Sequence, residues 1–146
     1  MSRFAVCKAF NDAFQSKAIT ERIEKHFATN LEGTYLRVES AQDVDGFWLE
    51  PHSDLGVKLF TMLLYTSPDP SHADLGTDIY DANKAPVGRS PFKSNSALVF
   101  IPSSITFHGF EQRKIEGVRK SMIIIYVTNE WRAREQLPFP DQPITH

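Results

Sequence analysis

The stretch Gly33-Thr34-Tyr35-Leu36-Arg37-Val38-Glu39-Ser40 is where the chain changes its period. From Thr34 to Ser40 apolar and polar residues alternate, which sends successive side chains to opposite faces of a strand. Upstream the spacing is helical. Ile19, Ile23 and Phe27 recur at i, i+4 and i+8 behind Ser16, a good N-capping residue, and the outer face carries Glu21, Arg22, Glu24 and Lys25. This predicts an amphipathic helix from about Lys17 to Thr29, ended by Asn30 and Gly33. Phe10 and Phe14 carry the same i, i+4 spacing ahead of it.

Downstream the strand-like period continues. Phe47 to Asp54 alternates, and Leu59 to Thr66 is mostly apolar, as in a strand buried on both faces. Thr77 to Asp81 and Val87 to Lys93 are weaker segments; Ala97 to Ile101, Ile105 to Phe110 and Ser121 to Thr128 are stronger. Turn residues separate them at Asp45-Gly46, Ser67-Pro68-Asp69-Pro70, Lys84-Ala85-Pro86, Pro102-Ser103 and Glu116-Gly117. About eight short antiparallel strands after one helix predict a mainly β fold: a double-stranded β-helix, or jelly roll, cupin-like, with the N-terminal helix packed outside.

The size suits one domain. With 146 residues, 41% of them hydrophobic and 11 of them phenylalanine, the chain can bury a sizeable core. The expected division is a helical segment at 1–33, a jelly-roll core at 34–131 and a C-terminal arm at 132–146, where Pro138 to His146 holds three of the nine prolines. A net charge of -2 argues against a protein held by phosphate backbones, so no nucleic acid is expected. The single cysteine, Cys7, excludes an internal disulfide framework. The longest apolar run, Met122 to Val127, is too short to span a bilayer, and no signal peptide is evident. A cytoplasmic location is the expectation.

The chemistry concentrates in three places. In Glu50-Pro51-His52-Ser53-Asp54, a regular strand would project His52 and Asp54 from one face, imidazole beside carboxylate. Such an N,O pair suits a divalent metal such as Fe(II). His108 follows in a late strand, 54 positions after Asp54. Arg119 stands eleven positions beyond His108, opening the last strong strand with Ser121 on the same face. An arginine fork binds a carboxylate through two bonds, and a neighbouring hydroxyl adds a third. Each piece alone also reads otherwise, as hydrogen-bonded histidines, a turn aspartate and a surface salt bridge.

The combined pattern H-x-D, about fifty residues, H, about ten residues, R-x-S resembles that of the Fe(II)- and 2-oxoglutarate-dependent oxygenases, in particular the uncharacterised microbial branch with a prolyl-4-hydroxylase-like core. The resemblance covers roughly Thr34 to Trp131. It implies that His52, Asp54 and His108 hold Fe(II), leaving positions for 2-oxoglutarate and O2. It implies that Arg119, with Ser121, meets the far carboxylate of 2-oxoglutarate, and that Tyr35 lies near that carboxylate. The implied reaction hydroxylates a C–H bond of a small-molecule or peptide substrate while 2-oxoglutarate becomes succinate and CO2. Lys58 and Lys120 are the next candidates for the anchor. The segment before the first core strand is shorter than is usual in that family. Two other readings stand beside this one: a non-catalytic cupin-like module that binds a metal or a small acid, and a shortened inactive paralogue. Trp48 and Glu50 are expected beside His52 if the strand is regular. His72 is expected in a solvated loop, His26 on a helix flank, His146 at the terminus, and Arg132 to Glu135 on a solvated face.

Overall fold

In the computed structural model, which describes residues 3–146, the helical spacing of the N-terminal segment becomes two helices rather than one: α1 (Arg3–Gln15) and α2 (Lys17–Phe27). Ser16 separates them. Its hydroxyl accepts from the Ile19 amide at 3.4 Å and so caps α2. The expected stop at Asn30 and Gly33 comes earlier, because Ala28 takes a left-handed conformation (φ 48°) directly after Phe27.

Eight strands follow: β1 (Tyr35–Asp43), β2 (Leu49–His52), β3 (Lys58–Tyr65), β4 (Asp78–Tyr80), β5 (Pro86–Arg89), β6 (Ser96–Phe100), β7 (His108–Phe110) and β8 (Arg119–Val127). They form two antiparallel four-stranded sheets, in the orders β1-β8-β3-β6 and β2-β7-β4-β5. The first strand lies beside the last, β2 beside β7, β3 beside β6 and β4 beside β5.

Period-two alternation gives the first sheet two working faces. Leu36, Phe60, Ile124 and Tyr126 turn outward and bury against Ile23, Leu31 and Ile144, with Phe10, Phe14 and Ile19 of the helices packed on them. Each such apolar side chain contributes roughly 1.5–3 kcal/mol on burial. The hydroxyl of Tyr126 donates to the Phe14 carbonyl, which ties α1 to the sheet. The opposite faces of the two sheets meet around Tyr65, Leu75, Phe92, Phe110 and Ile115.

The C-terminal arm is irregular, as expected, but it is anchored. Ile144 is buried and exchanges backbone hydrogen bonds of 2.8 Å with Gly33 and Thr34, while Leu137 packs on Ile125 and Val127. Within 132–135 Arg134 is not simply solvated: its guanidinium lies 4.2 Å from the Tyr35 ring and donates to the Pro140 carbonyl at 2.8 Å. Among the described residues no helix is long and apolar enough to cross a membrane.

Candidate metal centre and its cavity

Between the sheets lies a cavity of about 280 Å³, lined from β1, β2, β3, β7, β8 and their flanking loops. The inward alternation of β8 supplies Arg119, Ser121, Ile123 and Ile125; that of β1 supplies Arg37, Glu39, Ala41 and Asp43. His52, Asp54 and His108 sit on its wall and form a three-residue group whose ligand atoms lie within 4.8 Å of one another.

The route by which Asp54 reaches His52 differs from the expected one. β2 stops at His52, and Asp54 lies in the following loop with φ 61°. A left-handed residue, not a shared strand face, swings its carboxylate toward the imidazole. β2 is itself irregular: its register against β7 shifts between Leu49 and His52. The shift changes the parity of the strand. Leu49 therefore lines the cavity with His52, whereas Trp48 and Glu50 do not, and Trp48 is 61% exposed.

β2 and β7 lie close because Gly109 has no side chain; a Cβ there would stand 2.6 Å from the Leu49 carbonyl oxygen. This spacing brings the rings of His52 and His108 to 4.2 Å between centroids. Each ring is oriented through Nδ1, which lies 3.0 Å from the Glu50 carbonyl for His52 and 2.9 Å from the Thr106 carbonyl for His108. With Nδ1 donating to a carbonyl, the neutral ring presents a bare lone pair at Nε2. Both Nε2 atoms face the Asp54 carboxylate, at 3.4 Å from Oδ1 for His52 and 3.2 Å from Oδ2 for His108. Lone pairs converging on an anion repel one another unless a positive centre stands among them. A proton on one ring satisfies one contact, while a divalent cation satisfies all three. Two imidazoles and one carboxylate are a donor set suited to Fe(II) and similar ions.

Lys58 opens β3 and donates to Asp54 Oδ1 at 3.0 Å. Burial by itself would raise the Asp54 pKa. The contact with His108 and the hydrogen bond and charge of Lys58 outweigh it and hold the group well below the ordinary carboxylate range. Asp54 therefore stays ionised and available as a ligand.

Beyond the centre, on the same cavity wall, Arg119 is nearly buried, as is Ser121. Its guanidinium sits among the rings of Phe110, Phe92 and Tyr65, at 4.8, 5.4 and 5.9 Å from their centroids. Nε donates to the Leu75 carbonyl and Nη1 to Asp43 Oδ2, each at 2.7 Å. A buried guanidinium is expected to need a ligand carboxylate; here Asp43 already supplies one. The β1–β8 register sets Asp43 directly opposite Arg119, as it sets Ala41 opposite Ser121. Among the described residues, neither Nη2 of Arg119 nor the Ser121 hydroxyl has a hydrogen-bond partner.

Tyr35 is not brought to this site. It shares the inward parity of β1 but lies beyond Arg37, where Ile125, Val127, Leu137 and Trp131 cover it. Lys120, with its neighbours' faces reversed, is exposed. His72 corrects the expectation of a solvated loop: it is 1% exposed, with Nε2 2.6 Å from the Glu116 carbonyl. His26 lies on the outer surface of α2, and His146 contacts Glu24 at 2.9 Å. Sequence reasoning missed Asp43 and the Lys58–Asp54 contact. The i, i+4 spacing of Asp54 and Lys58 was visible, but Asp43 becomes a neighbour of Arg119 only once the first and last strands pair.

No model of a known protein family matches the chain, and no curated protein is significantly similar to it.

Proposed function

We propose that this chain is a jelly-roll Fe(II)- and 2-oxoglutarate-dependent oxygenase that hydroxylates a C–H bond of a small-molecule or peptide substrate, releasing succinate and CO2. The observation that carries the reading is the convergence of two carbonyl-oriented Nε2 lone pairs on the ionised Asp54 carboxylate. The nested pairing of β1 with β8, β2 with β7, β3 with β6 and β4 with β5 supports the jelly roll. Arg119 and Ser121 on the same cavity wall support a diacid, with one end at the metal and the other at the guanidinium.

In this reading the bound iron supplies the redox chemistry with 2-oxoglutarate and O2. The protein supplies placement. The Glu50 and Thr106 carbonyls fix the histidine tautomers, and Asp54 contributes the ligand charge. Nη2 of Arg119 and the Ser121 hydroxyl receive the far carboxylate. Leu63, Phe110, Ile123 and Ile125 keep the space between them apolar and limit water. The setting is cytoplasmic, where a lone exposed thiol such as Cys7 stays reduced.

A second reading, a binding module without turnover, is favoured by one observation: Asp43 and Lys58 already satisfy Arg119 and Asp54 from within the chain. Iron-dependent formation of succinate from 2-oxoglutarate separates the two.

The experiment that tests the centre is metal stoichiometry after anaerobic loading with Fe(II). The parent should hold one ion per chain. Asp54→Ala and His108→Ala should each lose affinity by at least about tenfold to a hundredfold. Parent-like stoichiometry in both variants would overturn the assignment.

A further inference from the structure

Three ion pairs line one cavity: Arg37 with Glu39 at 3.0 Å, Lys58 with Asp54 at 3.0 Å and Arg119 with Asp43 at 2.7 Å. The three cations cancel the three carboxylates. A divalent ion at His52, Asp54 and His108 would leave two positive charges uncompensated in a partly desolvated space, and a dianion bound beside it would restore neutrality.

Lys58 is the residue that must respond. Its ammonium contacts Asp54 Oδ1, and the Asp54 carboxylate is the group a metal would engage. Two cations that share one carboxylate repel each other. The Lys58 side chain is 23% exposed and carries a flexible stem at the start of β3, so it can move. A second feature lies nearby on the same strand. Thr61 also lines the cavity, and its buried hydroxyl oxygen has no hydrogen-bond partner. Leaving such a group unpaired is costly, and a polar ligand atom would recover that cost.

Resting on the reading of the triad as a metal centre, we infer that Lys58 is the internal counter-ion of the metal-free site. The metal displaces its ammonium from Asp54, and the freed ammonium, with the Thr61 hydroxyl, then receives the metal-proximal carboxylate of a dianion whose far carboxylate lies at Arg119. Lys58 is thus a positioning residue that couples metal binding to anion binding, with opposite signs for the two.

Mn(II), a redox-inert stand-in for Fe(II), tests this by calorimetric titration of the parent, Lys58→Met and Thr61→Val, followed by titration of 2-oxoglutarate into each Mn(II)-loaded protein. Lys58→Met should bind Mn(II) roughly three- to tenfold more tightly, because a competing cation is gone. It should bind 2-oxoglutarate roughly three- to tenfold more weakly. Thr61→Val should weaken 2-oxoglutarate and leave Mn(II) unchanged. Lys58→Gln provides the same comparison if Lys58→Met does not fold. A residue of merely structural importance would weaken both ligands together. That result, or equal affinities in parent and variant while His108→Ala loses Mn(II), would overturn the inference and leave the metal centre standing. Absence of Mn(II) binding by the parent would overturn both.

Discussion

Replacing Asp43 with asparagine keeps the shape of the side chain and removes its charge, which isolates the ion pair with Arg119. The two residues face each other across β1 and β8, 2.7 Å apart, with side chains 14% and 8% exposed. Removing one partner of a fully buried pair costs about 3–5 kcal/mol. Three features reduce that figure here. Arg119 keeps its bond to the Leu75 carbonyl, it keeps its three aromatic neighbours, and asparagine still offers an acceptor. A loss of about 2 kcal/mol follows. For a chain of this size, at about 2–4 °C per kcal/mol, the melting temperature should fall by about 4–8 °C. If Arg119 anchors 2-oxoglutarate as proposed, the same substitution should tighten that contact, because Asp43 then competes with the ligand carboxylate for the guanidinium. With Mn(II) present, 2-oxoglutarate at a hundred times its Kd adds about 2.7 kcal/mol to a folded state it binds. An affinity raised about tenfold would add about 1.4 kcal/mol more in the variant at the same ligand concentration. Differential scanning fluorimetry with and without Mn(II) and 2-oxoglutarate measures both effects. A variant that melts with the parent would show that the Asp43–Arg119 pair does not stabilise the fold, and a ligand-induced shift smaller than the parent's would show that Asp43 does not compete for the guanidinium.

Asp78 accepts from the Glu111 amide at 2.6 Å, from Arg89 at 2.6 Å and from Arg113 at 2.8 Å. Burial would raise its pKa, but these bonds outweigh it and leave the group below its ordinary value. Its contribution to stability is therefore present above the unfolded value, about pH 4, and is lost as the pH falls through the lower folded value. Asp78→Asn should cost about 2–4 kcal/mol at pH 7, with a gap from the parent that narrows below about pH 4; a gap in urea melts that stays constant down to pH 3 would contradict this. Gly109→Ala should push β2 from β7 at the Leu49 carbonyl and separate the two histidines. It should lower both stability and Mn(II) affinity, and a variant that retains parent affinity would show that this spacing does not set the centre.

The strand positions were largely legible because alternation and turn residues are local properties. Each of the eight predicted segments overlaps one observed strand, and Ser16 caps α2 as read. What escaped depends on pairing. The bulge in β2 reverses which residues accompany His52, so Leu49 replaces Trp48 and Glu50 at the cavity. The left-handed Asp54 has no signature in an HxD triplet. α1 was visible only as Phe10 and Phe14, and its remaining positions carry too little contrast to define a face. Asp43 and the buried state of His72 follow from which strands and loops come together in space. Tyr35 has the expected parity but lies too far along β1, under the C-terminal arm.

Under the proposed function, His52, Asp54 and His108 hold iron that 2-oxoglutarate then chelates, with Arg119 at its far end. Anaerobic titration of 2-oxoglutarate into the Fe(II)-loaded protein, followed by the visible metal-to-ligand charge-transfer band, tests it most directly. The expected result is a band that saturates at one equivalent per chain, is absent in His108→Ala, and needs a much higher concentration in Arg119→Ala. Fe(II) bound at the triad with no such band at any concentration of 2-oxoglutarate would contradict it.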